Sequence, residues 1–286
     1  MGRLLFSSLV VFLLITPGEG QAERAIPNDN LAYPVLIELD NSVGSGFFLN
    51  TGTKFYLVTA AHVLFEDLTG NLKAKGAILI SYSKDPKDTG RNITLLDFKT
   101  LLESKNIRRH STEDVAIVTM GNVEKKADND LSSIIPVSGV SFKESTPSGF
   151  LSVGIETVKR FGDVLTANFI YVFGYPRSLG IEDLPQLDPV RPLLRFGIIA
   201  GTNPARRTII LDCPSYPGNS GGPVLEVEEE GVTGRRFRVI GVVTEFVPFV
   251  ETWENKTHNY KNLTISNSGY TVAVSMDPVL ELINSP

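Results

Sequence analysis

Short apolar runs, broken again and again by Gly, Pro, Asn and Asp, leave little room in this chain for anything but strands. The runs fall at 34–39, 46–49, 54–58, 77–82, 93–98 and 115–119, and then at 150–158, 169–175, 193–200, 207–211, 223–227, 237–246 and 270–274. Asn50-Thr51-Gly52 reads as the turn of a hairpin. In the first run Val35, Ile37 and Leu39 alternate with Leu36 and Glu38, the period of a half-buried strand. No helical stretches alternate with these runs, so the pattern is that of an all-β sandwich or a pair of barrels. One short helix is expected at 277–283, with Asp277 as N-cap and Pro278 at its first position. The polar stretch 121–150 reads as a connection between two halves, 23–135 and 136–286. The acidic run from Glu226 to Glu230 reads as a solvated loop.

Composition excludes several classes of function. The 286 residues are 42% hydrophobic and 21% charged, ordinary for a folded protein, and the net charge of −5 provides no basic footprint for nucleic acid. The first 22 residues have the order of a secretory signal: Arg3, an apolar stretch over 4–15, the breakers Pro17 and Gly18, then small residues at Gly20-Gln21-Ala22. The apolar stretch is short for a membrane span, and an uncleaved anchor is the alternative. The expectation is an exported protein, periplasmic or secreted, whose mature chain begins near Glu23. Cys213 is the only cysteine, so no intramolecular disulfide forms, and with only His62, His110 and His258 no metal-ligand spacing is present. The expectation is therefore no metal and no organic cofactor. Sequons stand at Asn92, Asn255 and Asn262.

The chemistry concentrates in Gly218-Asn219-Ser220-Gly221-Gly222-Pro223-Val224. Glycines around a serine let the backbone turn sharply, aim the hydroxyl outward and leave N–H groups free, as an activated nucleophile with an oxyanion hole requires. A tight turn with an incidental serine is the alternative. A serine nucleophile needs a base, and the base needs an orienting carboxylate. His62 follows a strand in Val58-Thr59-Ala60-Ala61-His62-Val63, where the small alanines leave room for a carboxylate. His110 and His258 lie in polar surroundings and read as surface residues. Asp114 opens the apolar run Val115-Ala116-Ile117-Val118 and can project inward from a strand start; a strand-edge charge is the alternative. Glu113 beside it faces the other way.

These three motifs, in the order His, Asp, Ser, together with 46–49, resemble the trypsin-like serine peptidase family over most of the chain from Tyr33 onward. Asn219 stands where digestive enzymes carry an acid, and no Ile-Val-Gly-Gly-like start precedes the first strand. The motifs are therefore nearer the bacterial Deg/HtrA-like and glutamyl-endopeptidase-like branches, here without room for a PDZ domain after Ser220. The resemblance implies two antiparallel six-stranded β-barrels with a short C-terminal helix. The first barrel would supply His62 and Asp114, and the second Ser220. It implies an oxyanion hole at the N–H groups of Gly218 and Ser220, and a polypeptide substrate. The substrate pocket is expected at Pro214, Thr244 and Phe246. Pro214 at its floor argues against basic side chains, and the Phe246 ring narrows it toward small or medium apolar ones. Cys213 is expected to pack as a small hydrophobe. The competing functions are a polypeptide-binding module on the same fold, and an esterase or specific processing enzyme; fold does not choose between them.

Overall fold

The computed structural model describes residues 26, 32–66, 70–83, 85, 88–125, 132–147, 149–177, 184–230 and 234–285; the leader assigned to 1–22 lies outside them. Its N-terminal sheet is built from β1 (Pro34–Glu38), β2 (Val43–Asn50), β3 (Lys54–Thr59), β4 (Gly76–Tyr82), β5 (Arg91–Asp97), β6 (Ile107–Arg109), β7 (Ala116–Lys125), β8 (Ser132–Pro136), β9 (Val140–Glu144) and β10 (Val153–Gly154). The strands follow one another in the order β6-β7-β3-β2-β1-β4-β5-β9, with β8 on β7 and β10 on β2. The second half is a closed six-stranded barrel, in the order β11-β12-β13-β16-β15-β14. Those strands are β11 (Phe169–Gly174), β12 (Leu193–Asn203), β13 (Thr208–Asp212), β14 (Pro223–Glu230), β15 (Gly234–Asn255) and β16 (Tyr260–Ser275). Three short helices complete it: α1 (Ala61–Leu64), α2 (Phe98–Glu103) and α3 (Asp277–Asn284). Among the described residues no helix is long and apolar enough to cross a membrane.

The fold class is the expected one, and the differences lie in detail. Only the C-terminal half closes as a six-stranded barrel; the N-terminal sheet curls, carries ten strands and takes in β9 and β10 from beyond residue 135. The stretch 121–150 is accordingly not a bare connection. β8 pairs with β7 and β9 with β5, because Ile134, Val137, Val140, Phe142 and Phe150 pack in the N-terminal core. In the run at 150–158 only Val153–Gly154 is strand; a 3₁₀ turn, Ile155–Thr157, follows, and Val158 forms an isolated bridge to Val239. The helix α2 replaces the end of the run at 93–98. Asp97 caps it, accepting from the Lys99 N–H (3.2 Å) and the Thr100 hydroxyl (2.5 Å), and Phe98 and Leu101 are buried. In α3, Asp277 is the first helical residue and not the cap; its carboxylate accepts the Phe161 N–H (2.7 Å).

Burial on both faces explains why the strands are richer in apolar residues than a half-buried sheet needs. Leu57 of β3 faces the N-terminal core, while its neighbours Tyr56 and Val58 join Phe47, Leu49 and Ile117 in a cluster shared with Phe173, Leu225, Val242 and Met276 of the C-terminal half. Successive strand residues point to opposite faces, so each strand in this layer serves two cores. The same holds for β1: Val35 and Ile37 face the interior, but Leu36, expected outside, packs with Ile80, Tyr82 and Tyr175. The acidic run at Glu226–Glu230 lies in β14, paired against Arg235, Arg236 and Arg238 of β15. Glu226 is buried and bonds Lys159 (2.8 Å) and the Asn168 amide (2.6 Å). Burial works against the Lys159 charge, but the hydrogen bonds to Glu226 and Glu228 outweigh it and raise its pKa.

Candidate active site

The turn Asn50-Thr51-Gly52 joins β2 to β3, with the Gly52 N–H on the Asn50 side chain (2.7 Å) and Gly52 at φ +83°. β3 then delivers the chain to α1. Ala60 and Ala61 are buried behind His62, and the helix is too short to do more than aim that ring into the cleft. Asp114 arrives from the start of β7 and grips His62 at two points. One carboxylate oxygen accepts the backbone N–H of His62 (2.8 Å) and the other contacts the ring Nδ1 (2.6 Å). An ionised carboxylate only accepts, so Nδ1 carries the hydrogen, and in the neutral ring the lone pair is then on Nε2. The carboxylate of Glu113, the weaker candidate, contacts Thr112. His110 is not a free surface residue. Its side chain is only 13% exposed, and its Nε2 bonds Glu281 on α3 (3.0 Å). His258 sits in an exposed turn.

Ser220 belongs to a turn that admits no Cβ at Gly218, Gly221 or Gly222, where it would strike backbone oxygens. Gly218 has φ +92° and Gly221 φ +89°. A Cβ on Gly218 would collide with the Tyr175 carbonyl oxygen, and one on Gly221 with the Ser45 carbonyl and the Thr59 hydroxyl. The turn is tied to both halves. On its own side, the Gly221 N–H donates to Val243 O (2.7 Å) and the Val243 N–H to Gly222 O (2.9 Å). Across the cleft, the Ser45 N–H donates to Ser220 O (2.8 Å). The buried Ser45 hydroxyl donates to Gly218 O (2.7 Å) and accepts the Tyr175 N–H (3.0 Å). Ser45 was not singled out in the sequence, although its glycine neighbours Gly44 and Gly46 repeat the pattern around Ser220.

Among the described residues, no protein acceptor takes the N–H of Gly218 or of Ser220. Both residues line a cavity of about 340 Å³ together with His62, Ser215, Thr244 and Phe246. The Ser220 hydroxyl donates to the Thr244 carbonyl (3.2 Å) and not to the His62 ring. The three pocket residues expected from the sequence therefore divide. Thr244 and Phe246 are on the wall, whereas Pro214 is not among the lining residues and Ser215 takes its place. The Thr271 hydroxyl, bonded to both Cys213 O (2.6 Å) and Ser215 Oγ (2.9 Å), draws this segment onto β16. Cys213 is buried in the barrel core, and burial pushes its thiol pKa up to about 11, so it stays protonated and inert. Among the described residues no three His, Cys, Asp or Glu side chains come together as a metal site. Of the three sequons, that at Asn92 is closed: its side chain is buried and bonds Gly149 O (3.2 Å) and the Thr146 N–H (2.8 Å).

Among solved structures, Deg5 superposes with a TM-score of 0.50 at 17% identity, over 89% of this chain and 88% of that one. A thermostable serine protease, AL20, from an extremophilic microorganism gives 0.49 at 10% identity, over 88% and 95%. An HtrA-type protease, AlgW, in complex with a tripeptide gives 0.48 at 16% identity, over 90% of this chain and 62% of AlgW, so the chain spans under two thirds of that protein. No curated protein matches. The model of the trypsin-like peptidase domain matches residues 44–234, from the glycine before Ser45 through α1, the start of β7 and the Ser220 turn. The chain belongs to the trypsin-like peptidase domain family.

Proposed function

We propose that this peptidase is an exported serine endopeptidase that cuts polypeptides through an acyl-enzyme, with Ser220 as nucleophile, His62 as base and Asp114 as its orienting carboxylate. The observation that carries this reading is the two-point grip of Asp114 on His62, which lines the same cavity as Ser220. On this reading the Ser220 hydroxyl leaves Thr244 O and turns to Nε2 of His62 by a change of side-chain rotamer. Catalytic hydrogen bonds often close only once substrate is bound. Ser220 Oγ attacks the scissile carbonyl carbon as Nε2 takes its proton. The oxyanion meets the free N–H groups of Gly218 and Ser220, each such donor being worth about 3 kcal/mol. Collapse expels the amine, which takes the proton back from Nε2 and leaves Ser220 acylated. A water, deprotonated by His62, then hydrolyses the ester. The Phe246 ring on the cavity wall supports a small or medium apolar side chain next to the cut bond. Export rests on the leader at 1–22.

The Ser220–Thr244 bond favours a second reading, a polypeptide-binding module whose serine is parked. A fluorophosphonate probe with intact-mass detection separates the two. Stoichiometric labelling of the wild type, absent in Ser220→Ala and slowed at least about 10³-fold in His62→Ala, is expected for the peptidase. A folded wild type that takes no label is the binding module.

A further inference from the structure

The strand that lines the cavity continues far past it. Beyond Phe246, β15 pairs with β16 from Pro248↔Asn267 to Asn255↔Tyr260. The nine steps from Phe246 to Asn255 carry it roughly 30 Å outward at about 3.3 Å per residue. Every residue of this ribbon from Phe249 to Ser266 is exposed. Directly opposed residues share a face. Phe249, Trp253 and Tyr260 therefore stand on one side, and Val250, Leu263 and Ile265 on the other; all six are more than half exposed. A two-stranded ribbon is marginally stable alone in water, and clustered exposed apolar groups mark a binding surface.

Neither edge of this ribbon has a strand partner among the described residues, and only the β15 edge leads back to Ser220. The pairing of β15 with β14 ends at Val242, and Val243 bonds the Ser220 turn. From Thr244 outward, the edge of β15 away from β16 has no strand partner among the described residues. Pro248 lacks an N–H and divides it into two short segments at the bulge between Phe246 and Pro248. The free edge thus begins at the nucleophile and runs onto the arm without a change of strand. Its charges are all acidic: Glu245, Glu251 and Glu254, the last bonded to Lys261 (3.3 Å). Two copies joined edge to edge through β15 would bring these acids together, whereas an apolar or basic strand meets no such repulsion.

We propose that the arm is the outer part of the substrate groove: an extended, unfolded segment of the polypeptide being cut, carrying apolar and basic side chains, adds as a strand to the free edge of β15. This rests on reading Ser220 as the nucleophile of a peptidase.

Trp253 is the only tryptophan of the chain and 64% exposed, so its emission reports the arm directly. The test titrates Ser220→Ala with two fluorescein-labelled peptides around the same cleaved bond, one with two residues on each side and one with eight. A saturable blue shift of Trp253 with the long peptide alone supports the proposal. So does a tenfold or greater loss of long-peptide affinity in Phe249→Ser/Tyr260→Ser, provided the same pair in the Ser220 protein labels with fluorophosphonate within twofold of the parent rate. Long-peptide binding seen by anisotropy with unchanged Trp253 emission overturns it. A blue shift that follows protein concentration alone, with a dimer in sedimentation, also overturns it and makes the occupant a second copy. If the peptide shifts Trp253 but the wild type neither labels nor cuts it, the arm stands as a peptide-binding surface and the peptidase reading falls.

Discussion

On the N-terminal wall of the cleft, His62 and Asp114 are held by side-chain chemistry, one carboxylate bonding both a ring nitrogen and a backbone N–H. On the C-terminal wall Ser220 is carried by a turn fixed through main-chain atoms, two left-handed glycines and the Ser45 hydroxyl. The first wall depends on which atoms donate and accept. The second depends on the absence of Cβ atoms. The proposed site should therefore fail in two different ways, and substitutions on each side report which.

The largest expected effect lies on the N-terminal wall. Asp114→Asn preserves volume, but its amide can offer an N–H to Nδ1 and favour the wrong ring tautomer. A fall of about 10³–10⁴ in kcat with an unchanged melting temperature is expected. Retained activity would make the His62–Asp114 pair purely structural. Gly221→Ala tests the opposite wall. A Cβ there meets Ser45 O and requires a left-handed alanine, so about 1–3 kcal/mol of stability and roughly 10² in labelling rate should be lost together. If the labelling rate is kept while stability falls, the turn does not position Ser220. Ser45→Ala removes a hydroxyl that serves both the Gly218 carbonyl and the Tyr175 N–H, leaving two buried backbone groups unpaired. Chemical denaturation should show a loss of about 1–3 kcal/mol, with a decline of roughly tenfold in kcat/KM. Ser45→Thr, which retains the hydroxyl, should recover part of the activity.

The smallest effect belongs to the link between the walls at Glu281, which bonds Arg207 (2.5 Å) on one side and His110 (3.0 Å) on the other. The Arg207 hydrogen bond, opposed by partial burial and aided by His110, holds the Glu281 carboxyl below the usual range. A lowered pKa means the folded state favours the ionised form. Its contribution is thus complete above the ordinary carboxylate range and lost as pH falls through the lowered value. Glu281→Gln should cost under about 1 kcal/mol at neutral pH, because the pair is half exposed. That difference should vanish in acid; a difference that persists there would assign the effect to packing.

Much of the site was legible because it is local. A serine between glycines, a histidine after small residues and an acid opening an apolar run each carry their chemistry within a few neighbours. Ser45 was not legible, since its hydroxyl reaches Gly218 across 173 residues of chain. Pro214 was misplaced by one residue because the Thr271 hydroxyl decides how that segment lies. The arm escaped notice for a similar reason. Pro248 and the acids around Trp253 break the apolar pattern at Phe246, and only pairing with β16 reveals one continuous strand. β8 and β9 were hidden likewise, because few of their side chains, Ile134, Val140 and Phe142, reach the core.

Alternation of apolar and turn residues was sufficient on its own to determine an all-β chain, and three short motifs determined which groups could do chemistry. Only the tertiary structure decided that the second half closes while the first stays open and takes extra strands. It also decided that Leu36 and Glu226 are buried, and that the cavity strand runs on as an exposed ribbon. Backbone preference and side-chain chemistry act over a few residues and can be read in order. Strand partners, shared cores and free edges depend on which distant segments meet, and that is settled only when the whole chain packs.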